Sequence, residues 1–285
     1  MNKITLNNST RYSNLIFKLT IRLVFCISCF FNANAQVSKY VFSETTGNAY
    51  AELTSGTVTV AGATWSTMAF ASTTLPFSFY YNNVAYTNVT ISDNGFIVLG
   101  TIGNLTSSSS TPISGTTTHD SAIACFAYNL AGGSAASEVR YEVLGLSPNR
   151  VFVVQYKDVV RRTISNQNGL MNMQIRLYET TGVIETVYGA GFTSTSATSL
   201  NGQVGLRGTS NADFNSRKNV SATWVPTSTN GGATSTDVMQ TSSTIGYAAG
   251  TKFTWTPCFT PSTPNIALAA DNSTLNISWT NPTIV

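Results

Sequence analysis

The segment Leu170–Tyr188 limits the possible folds more than any other part of the sequence. Polar and apolar residues alternate without interruption over eight positions from Met171 to Tyr178. The residues Thr180–Gly182 then favour a turn, and Val183–Tyr188 is a second β-prone run. Because successive side chains of a strand point to opposite faces, this pattern predicts a β-hairpin with one buried and one wet face.

A second segment, Leu75–Gly100, predicts further hairpins. Asn82-Asn83 and Asp93–Gly95 are turn sequences, since asparagine and glycine tolerate the left-handed backbone of tight turns. Phe96–Leu99 is apolar at every position, as expected of an interior strand.

The sequence after residue 35 predicts an all-β fold. It shows no convincing helical period, and about a dozen short strands alternate with turn residues. The polar, low-complexity segments Thr101–Asp120 and Thr227–Ser243 are expected to be irregular. We therefore expect an antiparallel β-sandwich or jelly-roll-like domain.

Residues 1–35 have the order of parts that is typical of a secretory signal peptide. Four basic residues precede Leu23–Phe31, an apolar run, and Ala33–Ala35 is an A-x-A cleavage site. Cleavage would fall between Ala35 and Gln36. The apolar run is far shorter than the about 20 residues that a membrane-spanning helix needs. We expect export, to the medium or the outer cell surface, with no transmembrane segment after cleavage.

Cleavage would also change the charge of the protein. The chain has 15 basic and 12 acidic residues, and the four charges of the signal peptide are all basic. The remainder would carry 11 basic and 12 acidic residues, a net charge of −1. Without a basic patch, the sequence does not predict a nucleic-acid partner.

Two cysteines, Cys125 and Cys258, would remain after cleavage. An oxidising compartment permits a disulfide between them, but Cys125 lies in an apolar strand where a buried free thiol fits equally well. Both alternatives stay open. Two cysteines so far apart do not form a metal-site pattern.

The remaining polar residues do not predict catalysis. The sequence has no G-x-S-x-G motif with a serine nucleophile that His119 could activate, so we expect His119 to be an exposed loop residue. Asp93 is better explained by its turn than by calcium binding. Glu138 and Glu142 share a strand face, which any polar strand would show. We predict no catalytic, cofactor-binding or metal-binding residues and no enzymatic activity.

Aromatic residues are the best candidates for ligand contact. Trp65, Tyr80, Tyr81 and Tyr86 could stack on sugar rings. Since neighbouring strand residues point to opposite faces, at most one of Tyr80 and Tyr81 is outward. Core packing is the expected role of most of them.

The C-terminal sequence PNIALAADNSTLNISWTNPT resembles the start of a fibronectin type III domain, with Trp279 as its core tryptophan. A boundary near Trp255–Cys258 therefore separates the predicted β-sandwich domain, residues 36–257, from residues 258–285, where the resemblance implies a linker and the first strands of an incomplete fibronectin type III domain. The resemblance also implies that the chain is a fragment of a longer polypeptide.

The stretches LPFSFYYNNVAYTNVTISDNGFIVLG, SPNRVFVVQYKDV and MQIRLYETTGVIETVYG resemble the N-terminal β-sandwich of secreted Bacteroidetes surface proteins. Asp120-Ser121-Ala122 resembles the O-glycosylation sequon of that lineage. The resemblance implies a non-catalytic module for adhesion, for matrix or glycan binding, or for presenting other domains. Its partner would be an extracellular glycan or a surface protein. The alternative is an accessory domain of an exported hydrolase.

Overall fold

The computed structural model describes residues 36–63, 65, 70–102, 110–116, 119–162, 169–193, 199–227 and 234–258, together with 265–268 and 275–278. The chain divides between Asn34 and Ala35 into two units, and every described residue lies in the second. Ala35 and Trp279 lie outside the described residues, so the predictions made for them stay predictions. None of the described helices is long and apolar enough to cross a membrane.

The regular elements of the described residues are strands, apart from one short 3₁₀ turn at Val37–Lys39. The strands of the first half are β1 (Val41–Thr45), β2 (Thr57–Ala61), β3 (Phe70–Tyr81), β4 (Val84–Ser92), β5 (Phe96–Leu99), β6 (Ala122–Ala127), β7 (Leu130–Gly132), β8 (Glu138–Leu144) and β9 (Val151–Arg161). Those of the second half are β10 (Met171–Tyr178), β11 (Ile184–Tyr188), β12 (Phe192–Thr193), β13 (Leu200–Arg207), β14 (Phe214–Ser216), β15 (Met239–Thr241), β16 (Gly246–Tyr247), β17 (Lys252–Thr256), β18 (Asn265–Leu268) and β19 (Leu275–Ser278).

Two antiparallel sheets pack face to face, which confirms the predicted β-sandwich. Sheet 1 has the strand order β1-β17-β11-β10-β9-β8-β2, with β7 also paired to β9. Sheet 2 has the order β14-β13-β6-β5-β4-β3, with β15 also paired to β13. The strands β12 and β16 form a separate two-stranded ladder, and so do β18 and β19.

The hydrophobic core lies between the two sheets. In sheet 1 the inward positions of neighbouring strands align in rows, and one such row runs across six strands. Its members, mostly large and apolar, are Val143, Phe152, Leu177, Ile184, Trp255 and Phe42. Each aromatic side chain buried in such a row removes about 150–250 Å² from water, so rows of this kind dominate the stability of the sandwich.

The predicted hairpins are present. Leu170–Tyr188 forms β10 and β11, and Asn82 and Asn83 join β3 to β4 with φ angles of 52° and 62°. The turn Asp93–Gly95 is buried, and the carbonyl of Gly95 accepts a hydrogen bond from the Cys125 amide of β6. Gly95 has a φ of 79°, and a Cβ there would lie 2.3 Å from the carbonyl oxygen of Phe126. Only glycine fits this position.

Asn215 of β14 anchors the N-terminal segment to the sandwich. Its Nδ2 donates hydrogen bonds to the carbonyls of Val37 and Tyr40, at 3.1 and 3.2 Å. Its Oδ1 accepts from Nη2 of Arg217 at 2.9 Å and from Nε1 of Trp255 at 3.1 Å. The amide group is therefore fully used, as a buried polar group requires.

The outer face of sheet 1 is partly covered by residues 48–55, which we call the strap. The side-chain oxygen Oε1 of Gln155 accepts a hydrogen bond from the Leu53 amide at 2.8 Å, and Nε2 of Gln174 donates to the Ala51 carbonyl at 2.7 Å. Lys157 pairs with Glu52 at 2.8 Å. The face of β10 that alternation predicts to be wet is thus wet only in part, since Gln174 is 1% exposed.

The outer face of sheet 2 is partly covered by described residues of the loop that precedes β6. Ile113 from this loop packs in a cluster with Phe96 and Val98 of β5. His119 is 2% exposed, with its ring edge-on to Phe96 at 5.8 Å between centroids. The prediction of an exposed His119 is therefore wrong. The loop is held down by Arg207, whose Nη2 lies 2.9 Å from a carboxylate oxygen of Asp120.

Candidate interaction surface

One row of outward positions at the end of sheet 1 is mostly aliphatic where the sheet meets solvent. The register of six adjacent strands aligns these positions, which lie where β8, β10 and β17 end, where β1 and β9 begin and, at Val183, one residue before β11. We call them the terminal row: Leu144, Val151, Tyr178, Val183, Thr256 and Val41. With strands about 4.8 Å apart, the row is about 24 Å wide.

The exposure of the terminal row distinguishes it from the rest of the outer face. Val41 and Leu144, at its two ends, are 59% and 42% exposed, and none of its members is fully buried. The next row inward along the strands is mainly polar, and its one aliphatic residue, Val153, is 1% exposed. An aliphatic side chain gains stability only when it leaves water, so the packing of the sandwich does not account for the terminal row.

Glu185 organises the polar row beside it. Its carboxylate accepts a hydrogen bond from the Tyr178 hydroxyl at 2.6 Å and lies 2.9 Å from Nζ of Lys252. Nη1 of Arg176 is 4.0 Å from the same carboxylate. Burial, and then the hydrogen bond to Glu185, raise the pKa of Tyr178 to about 12. Tyr178 is therefore neutral and fixed in orientation, so its ring offers the terminal row a rigid contact.

The turns at this end of the sheet are tied together. The hydroxyl of Thr180, in the β10–β11 turn, donates a hydrogen bond to the carbonyl of Pro148, in the β8–β9 turn. Arg150 forms a two-pronged ion pair with Glu179, with contacts of 2.6 and 2.8 Å. Leu146 projects from the β8–β9 turn and is 84% exposed. It extends the apolar surface beyond Leu144.

The aromatic residues predicted to contact a ligand are not assembled into one platform. Trp65 is 5% exposed, and Tyr81 is fully buried with its hydroxyl donating to the Arg207 carbonyl at 2.8 Å. Tyr80 points outward and is 39% exposed. Tyr86 is half-buried, 2.6 Å from the Ser121 hydroxyl. A ligand at the surface could touch Tyr80 and part of Tyr86, and their contact with a ligand stays a prediction.

The two cysteines are both free thiols in the structure. Cys125 is buried in β6, and its Sγ lies 3.2 Å from the Gly95 carbonyl oxygen. Cys258 is exposed and lies 2.8 Å from the Lys39 carbonyl oxygen. The sequence leaves open a disulfide between Cys125 and Cys258 or free thiols, and the structure contains free thiols.

The other polar candidates have structural partners. Glu138 pairs with Arg140 at 2.8 Å, and Glu142 accepts a hydrogen bond from Ser55. Ser121, the acceptor of the O-glycosylation-like sequon, is 4% exposed, so its hydroxyl is closed off in the folded protein. Within the described ranges, no group of three or more His, Cys, Asp or Glu residues could hold a metal ion.

The terminal row was not predicted from the sequence, although β8 and β10 each end on an outward residue that differs from the polar ones before it. In β8 the outward positions read Glu, Arg, Glu and then Leu144, and in β10 they read Asn, Gln, Arg and then Tyr178. The change from polar to apolar at the last position is unremarkable in one strand. It becomes a surface only when the register brings six strand ends together.

The fold and this surface define a β-sandwich module with an uncovered aliphatic row at one end. The family model of the NIDO-related domain matches residues 39–257, which is more than half of the chain. The chain therefore belongs to the NIDO-related family. No curated protein and no solved structure shows significant similarity to it.

Proposed function

We propose that this chain is an exported, non-catalytic module that binds an extracellular protein through the terminal row and Leu146. The exposed aliphatic row carries the proposal, because contiguous apolar surface at a protein's exterior typically marks an interaction site. Membership of the NIDO-related family, a β-rich module of extracellular type, agrees with this role.

The first described residues of the sandwich support export. Val37, two residues after the predicted cleavage site at Ala35, is fully buried, and its carbonyl is bound by Asn215. A signal peptidase could therefore remove residues 1–35 without cutting into the sandwich. Edman sequencing or mass spectrometry of the secreted protein should find Gln36 at its N-terminus.

A binding assay with matched variants tests the protein-binding role. The purified chain is applied to immobilised collagen and fibronectin, to whole cells of the exporting strain, and to a glycan array. We expect retention on a protein-bearing surface that is reduced at least tenfold in Leu144→Ser/Leu146→Ser. Val220→Ser is the control, because Val220 is 60% exposed but lies outside the row. Absence of retention on every protein surface, or equal retention of both variants, would contradict the proposal.

Glycan binding is the second candidate, because Tyr80 presents a half-exposed ring at the surface. In that case the chain would be retained on the glycan array, Tyr80→Ala would abolish the signal, and Leu144→Ser/Leu146→Ser would leave it unchanged. The same experiment therefore separates the two roles.

A further inference from the structure

We propose that Gln36 becomes a pyroglutamate, a cyclic and uncharged N-terminal residue, once the signal peptide has been removed. The inference rests on the proposed function in one respect, because it needs the export step that cleaves the chain after Ala35. It goes beyond that function by assigning a site of covalent modification. Gln36 occupies the position that cleavage would make N-terminal, and it is exposed in the structure.

The reaction uses two groups of the same residue. The free α-amine of Gln36 attacks Cδ of its own side-chain amide, and a five-membered lactam ring closes as the N–Cδ bond forms. The Cδ–Nε2 bond breaks, and Nε2 leaves as ammonia with the proton that the amine gives up. No oxidant, reductant or further reactant is needed. An ordinary α-amino group has a pKa of about 8, so part of it is neutral and nucleophilic near neutral pH.

The side chain of Gln36 is free to take part in this reaction. Among the described residues, its Oε1 accepts one hydrogen bond, from the Ser38 hydroxyl at 3.4 Å, which is long for an O–H···O contact. Because Gln36 is exposed, the ring of the product needs no room in the core. The fold therefore neither holds the amide away from the amine nor excludes the lactam.

The carboxylate that binds this segment, Asp213, has no acceptor site left for the amine. It accepts hydrogen bonds from Nδ2 of Asn82 at 3.2 Å and from the Ser38 amide at 3.4 Å. The amides of Val37 and Thr209 supply two more. A carboxylate has about four lone-pair sites, so these donors fill it. An α-ammonium group would have to displace one of them, and we therefore expect the amine to stay free to cyclise.

The residues that follow Gln36 give the modification a role. Val37 is fully buried, and its carbonyl is bound by Asn215 at 3.1 Å. The Gln36 carbonyl accepts a hydrogen bond from the Lys39 amide at 2.9 Å. An aminopeptidase that removed Gln36 would place the charged amine on the buried Val37, which is unfavourable. A lactam prevents this, because aminopeptidases need a free α-amine.

Mass spectrometry of the freshly secreted protein tests the modification. We expect an N-terminal peptide that begins at residue 36, is lighter than its sequence by one ammonia molecule and carries no amine-reactive label on its α-nitrogen. Edman degradation would be blocked in this form, so mass spectrometry is the deciding method. Gln36→Asn is the matched control, since it keeps the amide but its ring would be four-membered, and its α-amine should stay free.

Two results of this measurement would overturn the inference. One is a secreted protein with an intact Gln36 and a reactive α-amine, which would leave the proposed function standing. The other is an N-terminal residue other than Gln36, which would contradict the export step of the proposed function as well. A cyclised Gln36 on a chain that no protein surface retains would contradict only the binding role.

A rate measurement tests the structural part of the argument. The mature chain, prepared with a free Gln36 at its N-terminus, and a synthetic peptide of residues 36–40 are incubated at neutral pH while the loss of ammonia is followed by mass spectrometry. We expect the two rates to agree within threefold, because the fold leaves both the amine and the amide free. Cyclisation of the folded chain that is more than threefold slower would contradict the inference, since it would show that the fold holds the amine.

Discussion

Replacing Asn215 by alanine should destabilise the sandwich more than most single substitutions. Asn215 is 2% exposed, and its amide makes four hydrogen bonds, one of them to the guanidinium group of Arg217. A buried hydrogen bond contributes about 1 kcal/mol, and one to a charged group about 2 kcal/mol. The free energy of unfolding should therefore fall by about 5 kcal/mol.

The position of Arg217 makes its lost hydrogen bond to Asn215 harder to replace with a bond to water. Its guanidinium group is 3.5 Å from the centroid of the Phe42 ring, and burial lowers its pKa to about 10. The charge therefore cannot move readily into water when Asn215 is removed. The Nε1–H group of Trp255, also buried, would lose its acceptor as well.

Urea denaturation followed by tryptophan fluorescence measures this effect, because Trp255 and Trp224 are fully buried and report on the core. A loss of about 5 kcal/mol corresponds to a fall in Tm of about 10–20 °C for a domain of this size. Asn149→Ala is the matched control, since Asn149 is exposed and should change stability by less than about 0.5 kcal/mol. A loss below about 1 kcal/mol for Asn215→Ala would refute the role given to the amide.

Three further predictions concern stability and reactivity. Burial raises the pKa values of Tyr40 and Tyr178 to about 12. The folded state therefore keeps protons that the unfolded state releases above about pH 10. The free energy of unfolding, measured by circular dichroism in urea, should be constant up to about pH 10 and fall between about pH 10 and 12. Gly95→Ala should destabilise the domain by more than about 2 kcal/mol, since its Cβ would lie 2.3 Å from a β6 carbonyl oxygen; thermal denaturation measures this, and an unchanged Tm would refute the close approach. Burial raises the pKa of the Cys125 thiol, so iodoacetamide should label Cys258 but not Cys125 until the protein is unfolded, whereas a disulfide between them would block both in the mass spectrum.

Local patterns predicted the strands correctly, because alternation and turn residues act over a few positions. Leu170–Tyr188 and Asn82-Asn83 are examples, since their hairpins close between residues that are adjacent in the sequence. The cover of the outer faces depends on distant partners and could not be predicted in this way. Gln174 is covered by a strap residue 123 positions away, and the loop that contains His119 is held by Arg207, 87 positions from Asp120.

The same limit explains why the candidate site was missed. The aromatic residues named from the sequence were chosen for their chemistry, and two of them, Trp65 and Tyr81, are needed in the core. The terminal row contains only one aromatic residue, Tyr178, and the rest of it is ordinary in composition. Its significance depends on exposure, which is a property of the folded sheet.

The outward residues that these covering segments leave exposed are relevant to the function. The strap is bound to the middle of the outer face of sheet 1, at Gln155 and Gln174, and the loop before β6 covers part of the other sheet. If the outward aliphatic residues served the stability of the sandwich, they would lie under such segments, as Phe96 and Val98 lie buried in a cluster with Ile113 of the loop before β6. The terminal row instead lies at the edge of the sheet where the chain leaves the sandwich at Thr256. The packing of the sandwich therefore does not explain this row, in agreement with the proposal that an extracellular partner covers it.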